Sequence, residues 1–228
     1  MVCYSIVDHN EDFVIVNKST GITVQRDGDE RGLLELVARD LGLAKLFPVH
    51  RLDKETSGLV IMAINTDANQ QLSKLFAEHL MQKFYIAISE QKPRKKQGLV
   101  IGDMEKARRG SWKLVKTRRN PAITQLFSVS MLPGKRLFLL RPKTGKTHQL
   151  RVALKSLAAP ILGDTRYGPA ETSSDRMYLH AWQLQFEWRG ELRRYGCLPE
   201  QGQWYLCGEL KSALDEWQAP ELLAWPEL

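Results

Sequence analysis

His50-Arg51-Leu52-Asp53-Lys54-Glu55-Thr56-Ser57-Gly58 runs straight into Leu59-Val60-Ile61-Met62-Ala63-Ile64. The second stretch is an uninterrupted apolar run of strand length and reads as a buried central strand. The first crowds polar, reactive groups into a turn that Ser57 and Gly58 fasten to that rigid element, which is how sites are held on scaffolds. Outward from it, Phe13–Val16 is an apolar strand bounded by Asp12 and Asn17, and Ile22-Thr23-Val24 after Gly21 is expected to pair with it. Leu33, Leu36, Val37 and Leu41 recur at helical spacing. Thr66 is expected to cap a helix in which Leu72, Leu75, Phe76 and His79 or Leu80 recur at three and four. Phe84–Ile88, Ile123–Val129 and Arg136–Leu140 read as strands, and Thr147–Leu157 as a helix. Leu179–Trp188 alternates in period two, as a half-buried antiparallel strand does. Strands outnumber helices and do not alternate with them regularly. This predicts an α+β fold with a mixed, largely antiparallel central sheet flanked by helices.

The 228 residues carry 33 Lys and Arg against 26 Asp and Glu, a formal charge of +7, and 43% are hydrophobic. That is ordinary globular composition, with length for one domain or one plus an appendage. No apolar run approaches the roughly 18 residues of a membrane span. Met1-Val2-Cys3-Tyr4 shows no positively charged start followed by an apolar stretch, so no secretory signal is expected and the expected compartment is the cytoplasm. The charge is uneven. Residues 199–228 hold six acids and one base, −5, which leaves +12 for residues 1–198. Residues 92–119 hold eleven Lys and Arg against Asp103 and Glu105. A basic body with an acidic tail points to a polyanion, most often nucleic acid; a plain solvated surface is the alternative. Residues 89–120 also break the strand and helix pattern and read as a long loop or hairpin excursion. Residues 196–228, with Trp204, Trp217 and Trp225, read as a wrap that docks aromatics on the body, with a helix near Glu209–Trp217. Cys3, Cys197 and Cys207 form no CxxC, so neither a disulfide framework nor a zinc site is indicated.

No P-loop, dinucleotide glycine fingerprint or G-x-S-x-G elbow occurs. The five histidines are scattered without metal-ligand spacing. An enzyme built from this chain is expected to need neither metal nor bound cofactor. A second polar cluster runs from Arg141 through Pro142-Lys143-Thr144-Gly145-Lys146-Thr147-His148-Gln149-Leu150 to Arg151. Its Thr-Gly turn opens a helix, and His148 and Arg151, three apart, share a face. Arg151 sits at the buried border of that helix and there needs a carboxylate partner. Taken alone, these residues also fit a plainer reading, with Asp53 capping a turn and Arg151 on the surface.

Together the two clusters, H-R-L-D-x-x-T-S-G and then P-x-T-G-x-x-H-Q-L-R, closely resemble the RluA-type pseudouridine synthase family, over roughly residues 5–190. Asp12 to Gly21 resembles the family's opening strand and lysine-containing turn, Lys83-Phe84-Tyr85 its K-x-Y element, and Pro121–Thr124 its A-x-T strand entry. Pro160-Ile161-Leu162-Gly163-Asp164 through Tyr167-Gly168 and Leu179-His180-Ala181 resemble two further stretches. Two positions depart from the pattern. Ser19 follows Lys18 where the family usually has proline, and Lys146 stands where it usually has arginine. The first should matter little, since proline mainly stiffens the turn. The second keeps the charge but loses the bidentate fork.

The resemblance implies a pseudouridine-synthase-like fold, with a catalytic domain over 1–195 that contains the basic excursion 92–120, an acidic extension over 196–228, and no S4-type RNA-binding domain. It implies isomerisation of uridine to pseudouridine in a stem-loop of structured ribosomal or transfer RNA. No redox step occurs and no group leaves, so no cofactor is implied. Asp53 matches the catalytic aspartate, Arg151 the arginine set against it, and Tyr85 the active-site tyrosine. Leu150 is expected to pack against the target base or Tyr85. Arg51 is expected to hold the place of a base that has left its stack. Lys18, Lys146, Arg108, Arg109, Lys113, Arg118 and Arg119 are the remaining expected RNA contacts; His50 is expected to brace the turn, and His148 and Gln149 the loop. A monomer without membrane or obligatory protein partner is expected. The rivals are a catalytically idle RNA-binding protein on the same fold and a base-releasing glycosylase.

Overall fold

The computed structural model describes residues 3–169 and 173–227, so Met1 and Val2 of the N-terminal stretch read above lie outside the described residues. The chain order is β1 (Tyr4–His9), β2 (Phe13–Lys18), α1 (Leu33–Asp40), β3 (Phe47–Pro48), β4 (Ser57–Ala63), α2 (Thr66–Ala77), β5 (Gln82–Ser89), β6 (Gln97–Lys106), β7 (Trp112–Val115), β8 (Ala122–Leu132), β9 (Lys135–Pro142), α3 (Gln149–Ser156), β10 (Leu179–Trp188), β11 (Glu191–Gly196) and α4 (Gly208–Leu214). Two compact units emerge: Met1–Lys83 with His180–Pro199, and Phe84–Leu179 with Glu200–Leu228. The structure therefore parts along different lines from 1–195 and 196–228, because the chain returns to the first unit for β10 and β11 and then leaves it again. Both units are α+β and largely antiparallel. Among the described residues no helix is long and apolar enough to cross a membrane.

In the first unit the strand order is β1-β2-β4-β10, with β11 beside β10 and β3 on β4. Among the described residues of this unit, β4 and β10 are the pair that runs parallel, with His180 opposite Ser57 and Ala181 opposite Gly58. β2 and β4 are buried along their whole length, as their apolar runs predict. Alternation sends Phe13, Ile15, Leu59, Ile61, Leu184, Phe186 and Trp188 into one cluster with Ala68 and Leu72 of α2. Each large apolar side chain buried there contributes about 1.5–3 kcal/mol. Two expectations are corrected. Ile22–Val24 is not a strand; β2 pairs with β1 and β4 instead. The carbonyls of Thr23 and Val24 accept from the N–H groups of Leu33 and Leu34 at 2.9 and 3.1 Å. They satisfy the first donors of α1, whose N-cap, Gly32, has no side chain to do so. The cap of α2 is Asn65, whose Oδ1 accepts from Ala68 N at 2.8 Å, and Thr66 is the first helical residue.

In the second unit the order is β5-β9-β8-β6-β7, antiparallel throughout. The excursion over 89–120 is a hairpin, β6 and β7, with a 3-10 turn at Arg108–Gly110. The C-terminal extension lies against this sheet through aromatics. Trp225 sits 4.8 Å from the Phe127 ring and 6.0 Å from Phe84, with the Arg141 guanidinium 5.5 Å from its ring. The buried Tyr205 hydroxyl donates to Ile86 O at 3.1 Å. Lys135 lies 4.3 Å over the Trp204 ring.

Candidate active site

Asp53 stands half-buried in the first unit, beside an exposed Arg51 and a buried Leu52. Thr56 N donates to Asp53 O at 3.0 Å and closes the turn. The loop that follows β2 clamps the backbone just beyond. Gly21 N donates to Lys54 O at 2.8 Å, and Thr20 Oγ1 donates to Glu55 O at 2.9 Å. Lys18, expected among the RNA contacts, is 0% exposed. Its ammonium donates to the carbonyls of Ser19, Ile22 and Lys54 at 2.9, 2.9 and 3.2 Å. A buried ammonium spent on carbonyls fixes the turn and does not reach a surface phosphate. Where proline is usual, the Ser19 N–H donates to Cys3 O at 2.9 Å, a bond proline cannot make.

The flanks of the turn are fixed as firmly. His50 Nε2 accepts from Ile61 N at 3.2 Å, and the imidazole stacks on Phe76 with centroids 4.6 Å apart. Burial, with the nearby Lys83 ammonium, pushes the His50 pKa down to about 3, so the ring serves as a neutral acceptor. At the other end Ser57 Oγ lies 2.8 Å from Nδ1 of His180, which is fully buried. His180 Nε2 lies 2.9 Å from Cys197 O. A carbonyl only accepts, so Nε2 carries the proton and Nδ1 accepts from the Ser57 hydroxyl. Gly58 is required where β4 meets β10: its φ is +112°, and a Cβ there would lie 2.3 Å from Ala181 O.

In the second unit Tyr85 is half-buried on β5, opposite Leu140, while its neighbour Phe84 faces the other way and is fully buried. Arg151 is 4% exposed. The carboxylate that its burial demands comes from Asp164, which accepts from Nε and Nη2 at 2.8 Å each. Asp164 Oδ1 also accepts from the backbone N–H groups of Arg166 and Tyr167, both at 3.0 Å. Leu150, beside Arg151, is buried. Gln149 joins α3 to β8: Oε1 accepts from Thr144 Oγ1 and Lys146 N, and Nε2 donates to Ile123 O and Thr124 Oγ1, all at 2.8–3.0 Å. His148 precedes it in the left-handed conformation at φ +56°. Its Nδ1 lies 2.9 Å from the Tyr167 hydroxyl, so Tyr167 gathers the face that His148 and Arg151 share.

The basic residues spread along the excursion. Arg108 and Arg109 are exposed on the tip turn, and Lys113 on β7 is exposed and ion-paired to Glu105 at 3.1 Å. Arg118 and Arg119 are exposed in the loop after β7. The Asp103 carboxylate holds that loop by accepting from Arg119 N and Asn120 N at 3.0 and 2.8 Å. The Thr117 side chain and the Arg119 N–H keep Asp103 below the usual carboxylate range. Lys146 Nζ donates to Asn120 Oδ1 at 2.7 Å. Asp164, Tyr167, His180 and Asp103 had no assigned role in the sequence reading. A buried arginine announces that a carboxylate is needed, but only the fold shows that it lies thirteen residues on. Among the described residues, no three His, Cys, Asp or Glu gather as metal ligands.

Residues 12–156 match the RNA pseudouridylate synthase family. A protein of Haemophilus influenzae described as an uncharacterized RNA pseudouridine synthase is 55% identical over 88% of this chain and 90% of its own. The dual-specificity RNA pseudouridine synthase RluA of Pasteurella multocida is 34% identical over 79% of this chain and 85% of its own. The solved structure of human RNA pseudouridylate synthase domain containing 4 superposes with a TM-score of 0.72 at 27% identity, covering 88% of this chain and 90% of that one. The chain belongs to the RluA-type RNA pseudouridine synthases and is an enzyme that isomerises uridine in RNA.

Proposed function

We propose that this enzyme converts specific uridines of ribosomal or transfer RNA stem-loops to pseudouridine, with Asp53 as the catalytic carboxylate. The observation that carries this assignment is the clamped turn. Lys18, Thr20 and Gly21 seize the two carbonyls that follow Asp53, and His50 and Ser57 fix the flanks. A group held this firmly from several directions is preorganised for chemistry. The reaction breaks the N1–C1′ bond, turns the base and forms a C5–C1′ bond, while C5 loses a proton and N1 gains one. An ionised carboxylate serves it as a nucleophile or as counter-charge to the separated fragments.

Arg151 is the cationic member of the site, its guanidinium held in place by Asp164. The Tyr85 ring stacks on the uracil, and its hydroxyl relays the C5 proton, taking it while releasing its own to solvent. Leu150 packs at the base, and Arg51 holds the vacated stack. Arg108, Arg109, Lys113, Arg118 and Arg119, with Lys146, follow the phosphates. Other relatives are named for transfer RNA and for the large ribosomal subunit, so both RNA classes serve as probes. The test is tritium release from 5-tritiated uridine in unmodified ribosomal and transfer RNA. Wild type releases tritium from at least one class; Asp53→Asn releases none yet binds the same RNA. Release by Asp53→Asn overturns the assignment.

A further inference from the structure

The basic hairpin is fastened to the surroundings of α3 at its tip. Trp112 N, at the first residue of β7, donates to the Tyr167 hydroxyl at 2.9 Å. Arg166 Nη1 donates to Arg109 O at 2.6 Å, across the tip turn. Arg109 is held there at φ +55°, ψ +38°, a left-handed conformation that a non-glycine residue adopts only when its surroundings impose it. Arg166 and Tyr167 belong to the same turn as Asp164, whose carboxylate binds their N–H groups and the Arg151 fork. The Tyr167 ring lies under that fork, 5.1 Å from the guanidinium carbon. One buried side chain, 3% exposed, thus touches the strand that follows the basic tip, the loop that opens α3 and the arginine on α3.

We propose that Tyr167 is a positioning residue for RNA: its hydroxyl holds the hairpin tip so that Arg108, Arg109 and Lys113 meet the phosphates in fixed register with α3. The inference rests on the reading of the hairpin as the RNA surface. The hydroxyl is the only polar atom of that side chain. It accepts the Trp112 N–H and, with the His148 proton on Nε2, donates to Nδ1. Removing it unmakes both bonds and leaves the ring under Arg151. Burial raises the Tyr167 pKa, which keeps the phenol protonated at neutral pH.

The test uses the full chain and unmodified ribosomal and transfer RNA transcripts carrying 5-tritiated uridine. In Tyr167→Phe, KM for RNA rises about tenfold, the loss expected from one or two hydrogen bonds. At saturating RNA kcat stays within about twofold, because Arg151 keeps its ring and its Asp164 partner. The dependence of affinity on salt flattens toward that of Arg108→Ala/Arg109→Ala, although no charge has been removed. Combined with those two substitutions, Tyr167→Phe weakens binding no further. Amide exchange at 108–113 quickens and that of α3 does not. A fall in kcat with KM and salt slope unchanged, or an additive loss in the combined variant, overturns the proposal. If Arg108→Ala/Arg109→Ala alone leaves affinity and slope unchanged, the RNA-surface reading has failed and this inference fails with it. If that pair weakens binding and Tyr167→Phe does not, only this inference fails. Should Tyr167→Phe not fold, Arg166→Gln, exposed and holding the tip through Arg109 O, is expected to raise KM alike, and an unchanged KM overturns the proposal.

Discussion

The two units of this enzyme differ in charge. The first, with the Asp53 turn, has 12 Lys and Arg against 14 Asp and Glu, a net −2. In the second, Phe84–Leu179 has 20 against 6, a net +14, and Glu200–Leu228 has 1 against 6, a net −5. The +12 counted over residues 1–198 thus conceals a nearly neutral unit beside a strongly basic one. The proposed catalytic carboxylate, Asp53, lies in the nearly neutral unit and the proposed phosphate contacts of the hairpin lie in the basic one, so their effects should separate under mutation. Asp53→Asn is the largest expected effect: turnover falls at least about a thousandfold, the scale of a lost catalytic group, while RNA affinity holds. A parallel loss of affinity in a binding titration would break the division.

Between the two units the expected costs of losing a carboxylate rank by burial. Asp164→Ala strips the carboxylate from a buried arginine and two backbone donors and should destabilise by about 3–5 kcal/mol, read from denaturant midpoints. Glu35→Ala in the first unit removes an Arg26 partner whose side chains are 54% and 39% exposed, and should cost less than about 1 kcal/mol. Equal costs would mean that Asp164 does not organise its turn. Neutralising Arg108, Arg109, Lys113, Arg118 and Arg119 together should weaken RNA binding about 10- to 100-fold at physiological salt. It should also lower the slope of log affinity against log salt by about 2–4. The midpoint should barely move, because these side chains are exposed.

The units also differ in how they answer acid. The first braces its turn with a titratable ring, His50, and the second braces α3 with Gln149, which cannot titrate. The His50 pKa of about 3 in the fold lies below its ordinary 6.5, so between these values the unfolded chain binds the extra proton. Its contribution is present above about pH 6.5 and is lost as pH falls toward 3, roughly 1–2 kcal/mol between pH 7 and pH 5. His50→Asn keeps an acceptor for Ile61 N without a proton to gain. That variant should show a flatter fall in stability over this window, and an unchanged curve would remove His50 from the acid response.

What was legible in the sequence follows the same physics. β2 and β4 were legible because burial on both faces demands unbroken apolar runs, and the hairpin because charge and glycine broke the pattern around it. β1 and β11 gave no signal: they are partly exposed strands whose faces carry mixed residues. The two motifs named Asp53 and Arg151, and the K-x-Y element Tyr85, but the partners that fix a site are long-range. Ser57 and His180 are 123 residues apart, and Trp112 and Tyr167 are 55 apart. Lys18 was misassigned because a lysine in a polar turn reads as a surface cation. Only the fold shows three carbonyls converging on its ammonium.

The smallest expected effect concerns the two departures from the family pattern, one in each unit. Lys146 departs through its side chain, and its ammonium finds Asn120 Oδ1. Ser19 departs through its backbone, because its N–H donates to Cys3 O just beyond the β1–β2 register, where Tyr4 faces Lys18. Ser19→Pro restores the family residue and removes that donor. Stiffening the unfolded chain should stabilise by about 0.4–1 kcal/mol, and losing a partly exposed hydrogen bond should cost about 0.5–1.5 kcal/mol. The two nearly cancel, leaving a net loss below about 1 kcal/mol. Ser19→Ala keeps the N–H and separates the backbone effect from the hydroxyl. The sensitive readout is amide exchange along β1, which should quicken in Ser19→Pro and not in Ser19→Ala. Fraying confined to β1 would leave the Lys18 clamp on the Lys54 carbonyl intact, and turnover unchanged; a fall in turnover would show that the edge strand helps hold the Asp53 turn.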